Sequence, residues 1–115
     1  MAGYLKEVDI HYDRPVVNDA IKRVTYNIRN AKALGAGAVK IIHGYGSSGR
    51  GGGIRPAVRR YLGEQKAKGL IRDFIPGEDF SLFNEATREA FLHCADLRSD
   101  SDLDRHNNGI TIVVP

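Results

Sequence analysis

Only one cysteine, Cys94, occurs in the 115 residues, so an internal disulfide framework is excluded and a reducing, cytoplasmic setting is expected. Its place in a helix-like apolar pattern marks it as a core filler rather than a nucleophile. No apolar run approaches the roughly 18 to 20 residues that a membrane span requires, and the N-terminus lacks the basic-then-apolar pattern of a secretion signal. Low-complexity tracts, internal repeats and an acidic disordered tail are missing as well. The glycine-rich stretch in mid-chain is not followed by Lys and then Ser or Thr, and it lacks the dinucleotide spacing with a strand-end acid, which disfavours both nucleoside triphosphate and dinucleotide binding. No cluster of carboxylates suggests a pair of Mg²⁺ ions.

What is present describes an ordinary globular chain, with 42% hydrophobic and 27% charged residues. The length suits a single domain over residues 1–115 built on one modest core. The net charge of +3 is unevenly placed. Residues 1–76 carry 14 Lys or Arg against 6 Asp or Glu, while residues 77–115 carry 3 against 8. A basic first part suits a polyanionic partner, although solvated helix faces account for such charges equally well.

Hydrophobic periodicity predicts an α/β arrangement. Tyr4 to Ile10 alternates, so Val8 and Ile10 share one strand face and Asp9 and His11 the other. Pro15 suits the start of a helix, with Asp9 or Asp13 as acceptors for its first donors. Val17, Ile21, Val24 and Ile28 then recur at helical spacing, and Gly35 and Gly37 can end the element. Val39 to Ile42 reads as a buried strand, parallel to the first because a helix joins them. A second helix is expected around Pro56, Val58 and Leu62, ending at Gly69. Leu70 to Ile75 and Gly109 to Val114 read as third and fourth strands. Between these, Ser81 is placed to cap a helix carrying Leu82, Phe83, Ala86, Ala90, Phe91 and Cys94, followed by a polar loop from Ser99 to Asn108.

Ligands of such sheets bind outside the carboxyl ends of the parallel strands. His11 and His43 both stand at such ends, and neighbouring strands roughly 5 Å apart would bring them, with Asp9, to one substrate group. Six glycines fall between Gly44 and Gly53. A segment of Gly44, Tyr45, Gly46, Ser47, Ser48, Gly49, Arg50, Gly51, Gly52 and Gly53 can turn its amides toward an anion at the start of the second helix. Arg50 and Arg55 add fork-shaped donors, and Arg59 and Arg60 extend the basic, nucleic-acid-binding surface along the second helix. The plainer alternatives are a merely flexible loop, a His43 that hydrogen-bonds backbone, and an Asp9 and His11 pair that caps a helix. His93 and His106 fall in the acidic part, where solvated surface roles are expected.

Three blocks of residues resemble the small MutS-related, or Smr, domain family. Val8-Asp9-Ile10-His11 is similar to that family's Leu-Asp-Leu-His strand, Ile41-Ile42-His43-Gly44-Tyr45-Gly46 to its His-Gly-x-Gly block, and Thr111-Ile112-Val113-Val114 to its closing strand. The resemblance implies a two-layer α/β sandwich with a mixed sheet of about four strands, similar to the C-terminal domain of translation initiation factor 3. It also implies nucleic-acid binding and, in many members, endonuclease activity. With the activity so named, the residues themselves make Asp9, His11 and His43 the expected catalytic group, in metal-independent phosphodiester cleavage of RNA or DNA without a cofactor, although two His with an Asp could also hold Zn²⁺. The alternatives are a non-catalytic nucleic-acid or ribosome-associated binding module and, behind it, an enzyme for a small phosphorylated metabolite. Two departures from the family stand out: Tyr12-Asp13-Arg14-Pro15 follows the strand histidine where the family commonly has Gly, and residues 77–108 form a long, acidic, helix-bearing insertion able to cover the site or meet a partner.

Overall fold

In the computed structural model, which describes residues 3–45 and 53–115, the main elements follow the order β1 (Leu5–Asp9), α1 (Val17–Ala33), β2 (Ala38–Ile42), α2 (Ile54–Ala67), β3 (Asp73–Pro76), α3 (Glu85–His93) and β4 (Ile110–Val114). The strands form a mixed sheet in the order β1-β2-β4-β3. β1 and β2 are parallel, with Asp9 opposite Ile42, and β4 runs antiparallel to both β2 and β3. Three strands therefore point one way, and their carboxyl ends share an edge with the start of β4. This is the mixed four-stranded α/β arrangement that the family resemblance implies, with helices on both faces of the sheet rather than in one further layer.

Side-chain alternation sorts the sheet into two faces. Val39, Ile41 and Val113 pack with Ile10, Val24, Ile28, Val58 and Leu62 beneath α1 and α2. Ala38, Ile110, Ile112 and Val114 pack on the opposite face with Ile75, Phe80, Phe91, Cys94 and Leu97. Residues 77–108 thus cover the second face of the sheet. Cys94 is a buried core residue there, as its pattern suggests. A buried cation ties this layer down: Lys40, at the middle of β2, donates to Asp100 at 3.0 Å and also pairs with Asp102. Burial works against the charged amine, but its bonds to Asp102 and Asp100 hold the Lys40 pKa above its ordinary value.

Both α1 and α2 end in the same glycine device. Gly35 and Gly69 adopt φ of +78° and +73°. Each helix closes with paired backbone bonds, Gly35 to Lys32 with Ala36 to Ala31, and Gly69 to Lys66 with Leu70 to Gln65. These bonds satisfy carbonyls that the helix leaves without partners. The α2 terminus reaches to Leu70, so β3 begins at Asp73 rather than at Leu70.

Several local expectations change. Val16 caps α1 without a side-chain bond, because Asp13 is taken by Arg23 and Asp9 by His11. Asn84, not Ser81, caps α3, its Oδ1 accepting from the Thr87 amide at 2.8 Å. Ser81 instead accepts from the Phe83 amide in a tight turn. Leu82 and Phe83 consequently precede the helix and are exposed.

Candidate functional site

The site is built at the carboxyl edge of β1 and β2. His11 Nδ1 lies 2.8 Å from Asp9 Oδ1, and the same carboxylate oxygen accepts from the His11 backbone amide at 2.9 Å. The two side chains share a face because they are two residues apart at the end of a strand. A carboxylate can only accept, so the neutral ring carries its proton on Nδ1 and its lone pair on Nε2. Both side chains remain substantially open to solvent, at 39% for His11 and 44% for Asp9. The Cδ2–Nε2 side of the ring lies over Gly44, whose φ is +81°. A Cβ at Gly44 would stand 2.7 Å from His11 Cδ2 and 2.8 Å from Nε2, so glycine is required there both for its backbone angle and for the ring's approach.

His43 occupies a different environment. It is buried, with Nδ1 at 2.9 Å from the Gly44 carbonyl and Nε2 at 2.8 Å from Thr111 Oγ1. The carbonyl must accept, so Nδ1 donates and Nε2 accepts the Thr111 hydroxyl proton. Burial pushes the His43 pKa down to about 4, and the nearby positive charges of Arg59 and Arg55 act in the same direction. The imidazole is therefore neutral at physiological pH, with both nitrogens engaged. Gly44 joins the two histidines: its carbonyl anchors one ring and its α-carbon carries the other. Amides of His43 and Gly44 also converge on the Gly109 carbonyl at 3.1 and 3.0 Å, which fixes the turn to β4.

A second rank of residues stands behind His43. Arg59 Nε donates to Thr111 Oγ1 at 3.4 Å, while its two terminal nitrogens grip Glu78 at 2.8 and 2.7 Å. Further contacts run to the Asn108 and Ile110 carbonyls at 3.3 and 3.4 Å. Burial opposes ionisation of Glu78, but the bond from Arg59 brings its pKa below the ordinary carboxylate value. Arg59, expected on the anion-binding surface, is instead spent on these internal partners. Arg55 makes no hydrogen bond or ion pair among the described residues and lies half-exposed on the first turn of α2. The first helical residue, Ile54, follows Gly53, whose place near Val17 sets the N-termini of α1 and α2 side by side at this edge. Their backbone dipoles favour an anion there.

Of the predicted site residues, Asp9, His11, Gly44, Tyr45, Gly53 and Arg55 gather along this edge, and His43 and Arg59 lie beneath it. Gly46, Ser47, Ser48, Gly49, Arg50, Gly51 and Gly52 fall outside the described residues. Thr111, Glu78 and Gly109 carry the site's support without having been picked out from the sequence, since each acts on a residue far away along the chain. His106, expected in a solvated surface role, is exposed, its Nδ1 3.2 Å from the Glu78 carbonyl. Among the described residues, no three His, Cys, Asp or Glu side chains gather as a metal-holding group. His43 is turned inward, so Asp9, His11 and His43 do not converge as a ligand set.

A small α/β sandwich carrying an aspartate-oriented histidine at the carboxyl edge of its parallel strands is the class that fold and site define. The family model of the Smr domain matches residues 8–79, and the chain belongs to that family. Its fold is similar to the crystal structure of the Smr domain of Thermus thermophilus MutS2, with a TM-score of 0.57 at 22% identity over 95% of each chain. The family match takes in the end of β1 and the whole of β2, with His11 and His43. A comparison with curated proteins gave no match. No helix among the described residues is long and apolar enough to cross a membrane.

Proposed function

We propose that this chain binds nucleic acid and cleaves its phosphodiester bonds, with His11 as the proton-transfer group. The observation that carries the reading is the solvent-open His11 ring, held by Asp9 at Nδ1 and presenting Nε2 at the start of the glycine segment. In this mechanism Nε2 takes the proton of the attacking hydroxyl, an O–P bond forms, and the bond to the leaving oxygen breaks. Water supplies the leaving oxygen's proton. Asp9 keeps the ring in the required tautomer and stabilises the imidazolium once formed. Arg55 and the helix N-termini offset charge on the phosphoryl oxygens. His43 is a positioning residue that fixes Gly44. An internal 2′-hydroxyl makes RNA the more readily cleaved substrate, because the nucleophile is already in place.

The alternative of a binding module without turnover is favoured by one observation, the engagement of both His43 nitrogens, which leaves one open imidazole where two were expected. Labelled RNA and DNA strands incubated with wild type and His11→Ala, with and without EDTA, separate the readings. Cleavage by wild type that survives EDTA and falls about 10² to 10⁴-fold in His11→Ala supports catalysis. Binding without histidine-dependent cleavage establishes the module instead.

A further inference from the structure

Two exposed tyrosines neighbour His11, one along the chain and one across Gly44. Tyr12 is 71% exposed, yet one face of its ring is backed by the Arg23 guanidinium, 4.7 Å from the centroid. That guanidinium is itself fixed, by Asp13 at 2.8 and 3.0 Å and by the Ile10 carbonyl at 3.1 Å. Tyr45 is 65% exposed and rests against Gly109, where a Cβ would stand 3.1 Å from its Cε1. Tyr12 follows His11 in the chain, and Tyr45 follows Gly44, on which the His11 ring lies. Each ring is thus seated on a fixed support, next to the reacting edge, with much of its surface open to water.

We infer that Tyr12 and Tyr45 are stacking platforms for unpaired bases on either side of the phosphate held at His11, so that the substrate is single-stranded or locally unpaired nucleic acid. The inference rests on the nuclease reading above and adds the substrate's form to it. Bases in a duplex stack on one another and offer only their edges, whereas an unpaired base offers a face that an aromatic ring covers whatever its sequence. A ring already fixed by its support loses little freedom when the base arrives. Tyr26 supplies the contrast: it is 67% exposed on α1, roughly 13 Å along the helix from Val17 at 1.5 Å per residue.

The test is fluorescence anisotropy of the full chain with labelled oligothymidylate, 2′-O-methyl oligouridylate, an abasic strand of the same length and a hairpin duplex. Neither base-bearing strand offers a free 2′-hydroxyl, and comparing them distinguishes DNA from RNA. Wild type is expected to bind the base-bearing strands at least tenfold more tightly than the abasic strand or the duplex. Tyr12→Ala and Tyr45→Ala each lose about tenfold on those strands, while Tyr12→Phe, Tyr45→Phe and Tyr26→Ala retain wild-type affinity. Equal binding of base-bearing and abasic strands, preference for the duplex, or alanine variants at wild-type affinity overturns the platforms and leaves the nuclease reading standing. Absence of binding to every strand overturns both.

Discussion

Burial keeps the His43 imidazole neutral by lowering its pKa from the ordinary 6.5 to about 4, and the consequence is a pH-dependent fold. An unfolded chain takes up the proton near 6.5, while the folded chain resists it until about 4. The contribution to stability is therefore complete above pH 6.5 and is lost as pH falls toward 4, by up to about 3 kcal/mol. Urea melts across that window should show a flatter pH profile for His43→Gln than for wild type, and parallel profiles would contradict the assignment. At this scale the Asp9 and His11 pair was legible, because strand alternation alone puts residues two apart on one face. The backbone bond of His43 was among the plainer readings, but its inward turn was not legible, since its Nε2 partner, Thr111, lies 68 residues away. Nothing near His43 in sequence signals that partner.

Among the elements, β2 shows how a short apolar run conceals a charge. Val39 to Ile42 contains Lys40, which is 4% exposed and faces Asp100 and Asp102 across the layer interface. Removing one member of a buried ion pair strands its partners, so Lys40→Met should destabilise the fold by about 3 kcal/mol. Lys66→Met, which breaks the exposed pair with Asp73, should cost no more than about 1 kcal/mol. Urea midpoints at unchanged slope measure both, and equal effects would contradict the structural role of the buried cation. Helices α1 and α2 were legible because period and glycine stops agree. The start of α3 was not, because Ser81 and Asn84 are both good caps. Only the fold decides between them, by giving the Asn84 side chain the Thr87 amide and Ser81 a turn.

For the whole molecule, the split between a basic first part and an acidic second part is partly an internal pairing. Glu78 neutralises Arg59, and Asp100 and Asp102 neutralise Lys40. Charge counted along the sequence therefore overstates what is left for a polyanion, and the sequence alone could not tell Arg55 from Arg59. Nucleic-acid affinity measured against salt distinguishes them. Arg55→Ala should lower the log–log slope by about 0.7 on a single strand, whereas Arg59→Ala should leave the slope near wild type and lower stability. A reversed pattern would place Arg59 on the ligand. The central claim is that the His11 ring itself moves the proton while His43 only supports it, and chemical rescue addresses this most directly. Free imidazole added to His11→Gly should restore a large part of the lost cleavage and should restore none to His43→Gly; undiminished cleavage by His11→Gly, or rescue confined to His43→Gly, would contradict it.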